Sequence, residues 1–420
     1  MRASIFPLCA ALCAAGAVVT TDSSAGINCY NFKLDVPVTA TNYVLDILPV
    51  NNNIDAVNFA LDIDGRTSLN ATLVYISAGK TPFCELTHSP RRERILGTVT
   101  ISKSFALKAM ICTPSAENDK HIMQVLTHGL IVDSRYWDIE IDRTNHSYVL
   151  AAVNAGYTVL SYDRLGHGQS EKPDASVVQG PVELELLRVL TEMARDGSLI
   201  TGASPISPSA LPPGLPAFEN VVHVGHSYGS ILTAALLVAY PELSSAAILT
   251  GFTIANSTNP TTSTAALGFE YAAANDLGRY GDRGSGYIVP ATVDQLQLGF
   301  YHRDNISDPS GFSDALLAYG EYIKQPLTTG EWLSIRGLLN IVPALDFKGP
   351  LQFFLAERDF LVCGSDCKSD YDPAVLAALY PRVKSLDTYI QPGAGHGLTF
   401  QRNATAGYEV TMNWLDSQGF

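Results

Sequence analysis

Charged residues are scarce in this sequence. They occupy 16% of its 420 positions, against 46% for hydrophobic residues. Basic residues are fewer than acidic ones, 27 Lys and Arg against 41 Asp and Glu, which gives a formal net charge of −14. Nucleic acids and anionic lipid surfaces bind basic patches, so this balance argues against a polyanionic partner. The apolar content instead predicts a globular chain with ample material for a core.

The hydrophobic run near the start of the sequence is too short to span a membrane. It extends from Ile5 to Val19, below the roughly 20 apolar residues that a membrane-spanning helix needs. A positive charge precedes it, and the small residues Ala15–Ala17 are typical of a signal-peptidase site. We therefore expect a signal peptide within residues 1–25, cleaved after Ala17 or Ala25, and no stable membrane anchor.

Five glycosylation sequons follow, each with Ser or Thr two positions on and no intervening proline. They lie at Asn70, Asn145, Asn256, Asn305 and Asn403. Glycans on such sites mark surface positions of proteins that pass through the secretory pathway. Together with the signal peptide, they predict a glycoprotein that is secreted or resident in the secretory pathway.

Cysteine is rare, and an odd number remains after the signal peptide. The five cysteines are Cys29, Cys84, Cys112, Cys363 and Cys367. Cys363 and Cys367 are close enough in sequence to close a small loop, so we expect a disulfide there. The pairing of the other three stays open; the apolar surroundings of Cys112 favour a buried thiol, which would leave Cys29 to pair with Cys84. No histidine joins them at zinc-ligand spacing, so we expect no metal, and no cofactor is indicated.

The pattern of apolar and polar residues along the sequence changes near residues 90, 252 and 346. Short alternating segments in residues 26–96 indicate strands of an N-terminal extension. From residue 97, strands alternate with helical segments, which is typical of a mostly parallel sheet covered by helices. Residues 252–345 are rich in Tyr and Phe and predict an inserted helical cap. We therefore expect one catalytic α/β domain built from residues 97–251 and 346–420.

Individual elements of this domain can be placed from their patterns. Paired early strands are predicted over Val99–Cys112, and further strands over Ile122–Leu126, Thr158–Tyr162, Val221–Val224, Ala246–Leu249, Leu351–Leu355 and Leu386–Ile390. Helices are predicted over Ser147–Ala155, Val182–Arg195, Ser230–Ala239 and Ala406–Leu415.

A Gly-x-Ser-x-Gly motif is present as Gly225-His226-Ser227-Tyr228-Gly229. A predicted strand precedes it and an apolar helix follows it, which is the context that this motif requires. A sharp strand-to-helix turn brings two backbone segments into contact, so glycines are needed, and the serine is left strained and exposed. Ser227 is the candidate nucleophile, whereas His226, on the bend, is expected to be structural.

A serine hydroxyl needs a base, and the base needs an acid that fixes its tautomer. Asp359 lies just beyond a predicted strand, and His396 lies in a glycine-rich loop after the next strand. The chain order Ser, acid, His is typical of a strand–serine–helix elbow. Glu357 is an alternative acid, and Asp346, Asp366 and Asp370 are more distant ones.

Two backbone amides are candidates for an oxyanion hole. The segment His128-Gly129-Leu130 follows the strand Ile122–Leu126 and would present the Leu130 N–H. The second donor would be the Tyr228 N–H, next to the nucleophile. Two such donors together stabilise an oxyanion by several kcal/mol.

These motifs resemble the α/β-hydrolase superfamily, particularly its members with a helical cap, over about residues 97–420. The segment Ser161–Ser170, Ser-Tyr-Asp-Arg-Leu-Gly-His-Gly-Gln-Ser, adds to the resemblance. Leu165 is a departure, because the family pattern usually has its glycine sooner after the arginine. The chain is also similar to secreted fungal hydrolases of loosely defined activity. Ser227 argues against the haloalkane dehalogenase and epoxide hydrolase branches, which use Asp as the nucleophile.

The resemblance implies two-step acyl transfer to water, with a small-molecule carboxylic ester or lactone as substrate. The alternatives are a peptidase similar to the proline iminopeptidase branch, a biosynthetic cyclase, or a binding module on the same fold. Aromatic residues of the expected cap would either line an apolar pocket or form the cap's own core. They are Phe269, Tyr271, Tyr280, Tyr287, Phe300, Tyr301, Tyr319, Tyr322 and Trp332.

Overall fold

The computed structural model describes residues 27–61 and 95–420, except residues 213, 254–266, 306, 309, 310, 340–342 and 370. The expected signal peptide, the sequons at Asn70 and Asn256, and Cys84 lie outside the described residues.

The described residues form twelve strands. They are β1 (Asn28–Leu45), β2 (Ile95–Thr113), β3 (Ile122–Thr127), β4 (Thr158–Tyr162), β5 (Ser204–Pro205), β6 (Asn220–His226), β7 (Ala246–Thr250), β8 (Phe269–Tyr271), β9 (Tyr287–Pro290), β10 (Leu327–Thr328), β11 (Leu351–Ala356) and β12 (Leu386–Gln391).

Helices connect and cover these strands. They are α1 (53–61), α2 (Arg143–His146), α3 (Tyr148–Asn154), α4 (Gly180–Asp196), α5 (Tyr228–Ala239), α6 (Ala272–Asn275), α7 (Leu277–Tyr280), α8 (Val293–Phe300), α9 (Asp314–Ile323), α10 (Thr329–Leu339), α11 (Phe360–Cys363), α12 (Pro373–Leu379) and α13 (Ala404–Gln418).

Nine strands form the central sheet, in the order β12-β11-β7-β6-β3-β4-β2-β1-β5. The pairs from β12 to β4 are parallel, and β2, β1 and β5 extend the sheet with antiparallel pairs. Every residue of β3, β4, β7 and β11 is buried, as expected for parallel strands covered on both faces. The predicted mostly parallel α/β architecture is confirmed.

The N-terminal extension belongs to this sheet. Burial alternates along β1, with Phe32, Leu34, Val36 and Val38 inside, so one face packs on the core and the other faces solvent. Its partner β2 is a single long strand, so the prediction of two paired strands over Val99–Cys112 is wrong. Instead, β2 pairs with β1, which belongs to the N-terminal extension.

Two disulfides are present in the described residues. Cys363 bonds to Cys367, the pair that the sequence spacing indicates. The other bond joins Cys29 to Cys112, which lie directly opposite each other in the β1–β2 register. Pairing of Cys29 with Cys84 and a free thiol at Cys112 are therefore wrong. Cys112 is buried as expected, but it is cross-linked.

The inserted region is not purely helical. Besides α6 to α10, it holds a three-stranded antiparallel sheet in the order β10-β9-β8. These strands have only two to four residues each, which is too short for a clear alternating pattern. No helix in the described part of the chain is long and apolar enough to cross a membrane.

Candidate active site

Ser227 lies at the turn between β6 and α5. Its backbone has φ 54° and ψ −116°, a positive-φ conformation that costs a non-glycine residue conformational energy. Its N–H donates to the Thr250 carbonyl at 2.8 Å, and its own carbonyl accepts from Ser230 N at 2.9 Å. Ser227 is partly exposed between the buried residues His226 and Tyr228. The turn therefore presents one polar side chain at the carboxyl end of the sheet.

The glycines of the motif are required by close backbone contacts. A Cβ added at Gly225 would lie 2.5 Å from the Gly229 carbonyl oxygen, and one added at Gly229 would lie 2.0 Å from the Thr127 carbonyl oxygen. Neither backbone oxygen can move without displacing a strand or a helix. The strand, the turn and the helix can pack this tightly only with glycine at both positions.

Asp359 and His396 form a buried pair. The Oδ2 of Asp359 lies 2.6 Å from Nδ1 of His396, and both side chains are 1% exposed. The other carboxylate oxygen of Asp359 accepts from Val362 N at 2.9 Å, because Asp359 caps the first turn of α11. The carboxylate is thus held in place by one oxygen and binds the imidazole with the other.

Glu357 is occupied elsewhere. Its Oε1 lies 2.7 Å from the Lys368 ammonium, and its Oε2 accepts from Gly393 N at 2.9 Å. Lys368 and the Gly393 amide lower the pKa of Glu357. Of the two neighbouring acids, the structure brings Asp359, and not Glu357, to His396.

The imidazole of His396 packs among aromatic rings near the end of β7. Its ring centroid lies 4.9 Å from that of His226 and 5.2 Å from that of Phe300, which meets it edge-on. A Cβ added at Gly251 would lie 3.3 Å from Cε1 of His396 and 2.8 Å from Cε1 of His226. The absence of a side chain at Gly251 gives the imidazole room beside the strand ends where Ser227 lies.

The oxyanion candidates lie beside Ser227. A Cβ added at Gly129 would be 3.1 Å from Cβ of Ser227, so the backbone that precedes Leu130 borders Ser227. Tyr228 begins α5, and the first amides of a helix have no acceptor within the helix. Both predicted donors therefore belong to segments that meet at Ser227.

Three other histidines at the site are buried and neutral. Burial lowers the pKa of His128 to about 3 and those of His167 and His226 well below the usual range. His226 stacks on Tyr136 with centroids 4.3 Å apart, and its Nδ1 lies 3.0 Å from Thr250 Oγ1. His226 is thus held by a ring stack and by one side-chain contact.

A buried charge cluster at the site has no counterpart in the sequence predictions. The guanidinium of Arg164 contacts Glu183 of α4, and its Nη1 lies 2.7 Å from Glu331 Oε1 of α10. All three side chains are at most 2% exposed. Burial, together with the charge of Glu331, raises the pKa of Glu183 to about 8, against the opposing effect of Arg164. Burial also raises the pKa of Glu331, against the same opposing effect of Arg164.

This cluster contacts Tyr228, the residue that follows Ser227. The Tyr228 hydroxyl donates to Glu183 Oε2 at 2.8 Å, and the guanidinium carbon of Arg164 lies 4.6 Å from the centre of the Tyr228 ring. Arg164 could have been singled out from the sequence, because it lies inside the segment Ser161–Ser170. Its acidic partners Glu183 and Glu331 could not, because they lie in separate helices.

The aromatic residues of the inserted region differ in their roles. Phe300 contacts His396, whereas Tyr301 stacks on Phe400 and donates to the Leu316 carbonyl. Phe269 packs against Trp332, the hydroxyl of Tyr280 donates to the Lys324 carbonyl, and Tyr322 is 61% exposed. Phe269, Tyr280 and Trp332 thus contact other residues of the inserted region, whereas Phe300 contacts His396.

The sequence matches the model of the alpha/beta hydrolase family over residues 124–407. The curated proteins give no match.

Three solved structures are similar in outline. An esterase from Thermogutta terrifontis has 13% identity and a TM-score of 0.49 and covers 75% of this chain and 94% of its own. An enol-lactonase from Burkholderia xenovorans LB400 has 14% identity and a TM-score of 0.46, with 74% and 97% covered. The epoxide hydrolase VrEH1 from Vigna radiata has 16% identity and a TM-score of 0.47, with 74% and 95% covered. At these values none of the three indicates the substrate of this chain.

Proposed function

The chain belongs to the alpha/beta hydrolase family, and on that premise we propose that it is a serine hydrolase that cleaves a carboxylic ester or lactone through an acyl-enzyme. The observation that carries the proposal is the buried pair of Asp359 and His396, whose imidazole lies 4.9 Å from the ring of His226, the neighbour of the strained, partly exposed Ser227. The nucleophile is Ser227, the base is His396, and Asp359 holds the base in position.

The chemistry follows from the tautomer that Asp359 selects. Because Nδ1 of His396 donates to the carboxylate, Nε2 is the nitrogen with a free lone pair. It takes the hydroxyl proton as Ser227 Oγ attacks the substrate carbonyl, and it returns that proton to the leaving alkoxide as the acyl-enzyme forms. Water then attacks the acyl group with His396 as base again, which releases the acid and restores Ser227.

The negative oxygen formed in each addition needs fixed donors. The N–H groups of Leu130 and Tyr228 are the proposed pair, since Gly129 borders Ser227 and Tyr228 begins α5. The positive end of the helix dipole of α5 adds to the stabilisation of this oxygen.

An apolar acyl or alcohol group suits the surroundings of the proposed base. Phe300 meets the His396 ring edge-on and is 2% exposed, so part of the wall beside the imidazole is aromatic. We propose medium-sized apolar or aryl esters and lactones as the preferred class over acetate esters of small polar alcohols.

A peptidase of the iminopeptidase type is the runner-up. Such an enzyme needs an acidic group that can bind the free amine of its substrate. Glu183 and Glu331 are the buried acids of the Arg164 cluster, and both are bound to Arg164, while Glu183 also accepts from Tyr228. Neither is available to an amine, which favours the ester or lactone reading.

We also propose that the protein passes through the secretory pathway. Two disulfides in the described residues fit an oxidising compartment. Asn145 and Asn305 are exposed, as acceptors of glycans must be. Asn403 is half-buried, and its amide nitrogen donates to the Pro392 carbonyl at 2.9 Å, so it is the poorer acceptor.

The secretory proposal can be tested by expression in a eukaryotic secretory host. Enzymatic removal of N-glycans converts each occupied asparagine to aspartate, which peptide mapping detects. We expect conversion at Asn145 and Asn305 and little at Asn403. A chain that keeps its first 17 residues and shows no conversion would contradict the proposal.

The activity is tested with a panel of p-nitrophenyl esters of increasing acyl length, aryl esters, lactones and aminoacyl-arylamides, using Ser227→Ala as the matched control. We expect the highest kcat/KM for an apolar ester or lactone and none for Ser227→Ala. A maximum for aminoacyl-arylamides would favour the peptidase instead. Reaction in H₂¹⁸O separates hydrolysis from cyclisation, because only hydrolysis places ¹⁸O in the released carboxylate.

A further inference from the structure

The carbonyl of Gly129 is bound by two side chains. Nδ1 of His128 lies 2.8 Å from this oxygen, and Nη2 of Arg164 donates to it at 3.3 Å. His128 and Arg164 are both buried, so water does not compete for these bonds. A backbone carbonyl with two buried side-chain donors is more tightly fixed than a loop usually is.

The tautomer of His128 is determined by its other neighbour. The backbone N–H of Arg164 donates to Nε2 of His128 at 2.9 Å, so that nitrogen has no proton. Burial and the nearby Arg164 charge lower the pKa of His128 to about 3, which keeps the ring neutral. The single ring proton therefore lies on Nδ1 and is donated to the Gly129 carbonyl.

Fixing this carbonyl also fixes the amide of the next residue. The Gly129 C=O and the Leu130 N–H belong to one planar trans peptide and point in opposite directions. With the carbonyl held towards His128 and Arg164, the N–H is directed to the other side, and the backbone at Gly129 borders Ser227. Donation to the carbonyl also polarises the peptide and strengthens its N–H as a donor.

Arg164 is itself held in place from several sides. Its Nε donates to the His128 carbonyl at 3.0 Å, and its Nη1 binds Glu183 and Glu331. Glu331 is anchored in turn by Thr328 N, which donates to its Oε2 at 2.8 Å. Glu331, in the inserted region, thus helps to fix the Arg164 guanidinium, which in turn binds the carbonyls of His128 and Gly129.

A second contact from the inserted region supports the same loop. Ile131 has φ 72°, an unfavourable conformation for a β-branched residue, and its carbonyl accepts from Gln325 N at 2.7 Å. The strain at Ile131 is maintained by a loop that is fixed on both sides of Leu130.

We propose that His128 and Arg164 are positioning residues of the oxyanion hole, which clamp the Gly129 carbonyl so that the Leu130 N–H faces the reacting oxygen. This inference rests on the proposed function of Ser227, since it concerns the oxygen that forms when Ser227 attacks. His128 and Arg164 contact the loop and not the substrate. Their effect belongs to kcat, because the oxyanion exists only after attack.

Two substitutions at position 128 separate the roles of the ring nitrogens. In His128→Asn the amide nitrogen can replace Nδ1 and still donate to the Gly129 carbonyl. In His128→Gln the amide reaches the position of Nε2, which preserves the partner of Arg164 N but withdraws the donor from Gly129. The two variants have similar polarity, so a general loss of packing would affect them alike.

The readouts are kcat and KM for the best ester of the panel, the affinity for a trifluoromethyl ketone that forms a tetrahedral adduct, and the melting temperature. We expect His128→Gln to lower kcat by about 10- to 100-fold with KM changed less than about threefold. The affinity for the ketone should fall in parallel with kcat, and His128→Asn should keep at least about tenfold more kcat than His128→Gln.

A folded His128→Gln with kcat and ketone affinity equal to those of the wild type would overturn the inference, as would equal losses in both variants. If His128→Gln does not fold, Arg164→Lys decides, because lysine keeps the cation but cannot reach both Gly129 and the two glutamates. An unchanged kcat in that variant overturns the inference. A wild type that hydrolyses nothing in the panel overturns the proposed function and this inference with it, whereas an active wild type with an active His128→Gln overturns this inference alone.

Discussion

The carboxylate of Asp359 lies 2.6 Å from Nδ1 of His396, although 37 positions separate the two residues in the sequence. The parallel neighbours β11 and β12 bring them together, because each residue follows the carboxyl end of one of these strands. The second oxygen of Asp359 is bound to α11, so the carboxylate presents one oxygen to the imidazole. The orientation of the His396 imidazole thus follows from the sheet and from one helix cap.

The first prediction concerns this pair. Asp359→Asn should lower kcat by about three to four orders of magnitude, because an amide can donate to Nδ1 and so favours the wrong tautomer. Glu357→Gln is the matched control, since Glu357 binds Lys368 and Gly393 and not His396. It should change kcat by less than about threefold. If the Glu357 variant is the inactive one, the acid has been assigned to the wrong residue.

The parts of the site that the sequence predicted are those encoded locally. The strand Thr158–Tyr162 and the strand, turn and helix around Ser227 follow from short patterns, because glycine spacing and apolar runs determine them over a few residues. The fold class followed from the alternation of such segments.

The parts that were missed depend on long-range pairing. The β1–β2 pair and the Cys29–Cys112 disulfide join segments 83 positions apart, and the register is set by packing that no local pattern reveals. Arg164 and Glu331 are 167 positions apart, and each alone resembles an ordinary surface charge. A buried ion pair is visible only once the core is assembled.

The second prediction concerns the alkaline side of the stability curve. Since the pKa of Glu183 is raised to about 8 in the folded chain, above its ordinary value of 4.5, the folded state binds a proton that the unfolded state releases. The stabilisation of the folded state by this proton is fully present below about pH 4.5 and is lost as the pH rises through about 8. Glu183→Gln should therefore flatten the decline in the free energy of unfolding over this window.

The measurement is urea unfolding at pH 5 to 8.5. Glu192→Gln, in the same helix but with a side chain that is 46% exposed, should keep the decline of the wild type. The same slope in Glu183→Gln as in the wild type would show that Glu183 is ionised in the fold.

The third prediction concerns the acid side. Burial lowers the pKa of His223 from 6.5 to about 3, with its ring between Thr191 Oγ1 and Ser244 Oγ, each at 2.9 Å. The folded state thus keeps this ring neutral, so its contribution is fully present above pH 6.5 and is lost as the pH falls towards 3. His223→Gln should reduce the loss of unfolding free energy by up to about 1.4 kcal/mol per pH unit between pH 6 and 4.

The matched control is His121→Asn. The side chain of His121 is 77% exposed, and asparagine is tolerated at the φ of 55° of this position. This variant should keep the acid slope of the wild type in the same denaturation series. An unchanged slope in His223→Gln would mean that His223 is charged in the folded chain.

The fourth prediction concerns the Cys29–Cys112 disulfide. Cys112 pairs with Val159 near the amino end of β4. Ser227 lies at the other end of the parallel strands, beyond their carboxyl ends. Replacement of both cysteines by alanine should lower the free energy of unfolding by about 2–5 kcal/mol and leave kcat of the folded protein within about twofold.

The other disulfide provides the comparison. Removal of Cys363–Cys367 should change stability less, because it closes a loop of only four positions, but it should lower kcat, because α11 ends at Cys363 and is capped by Asp359. The reverse pattern, in chemical denaturation and initial-rate assays, would contradict this division of roles.

The central claim is that Ser227 is a nucleophile activated by His396. The most direct measurement is covalent labelling with a fluorophosphonate, followed by peptide mapping of the modified residue. We expect one adduct, on Ser227, no labelling of Ser227→Ala, and a labelling rate in His396→Ala lower by several orders of magnitude at an unchanged melting temperature. Labelling at another residue, or a Ser227→Ala variant that labels and turns over like the wild type, would contradict the account.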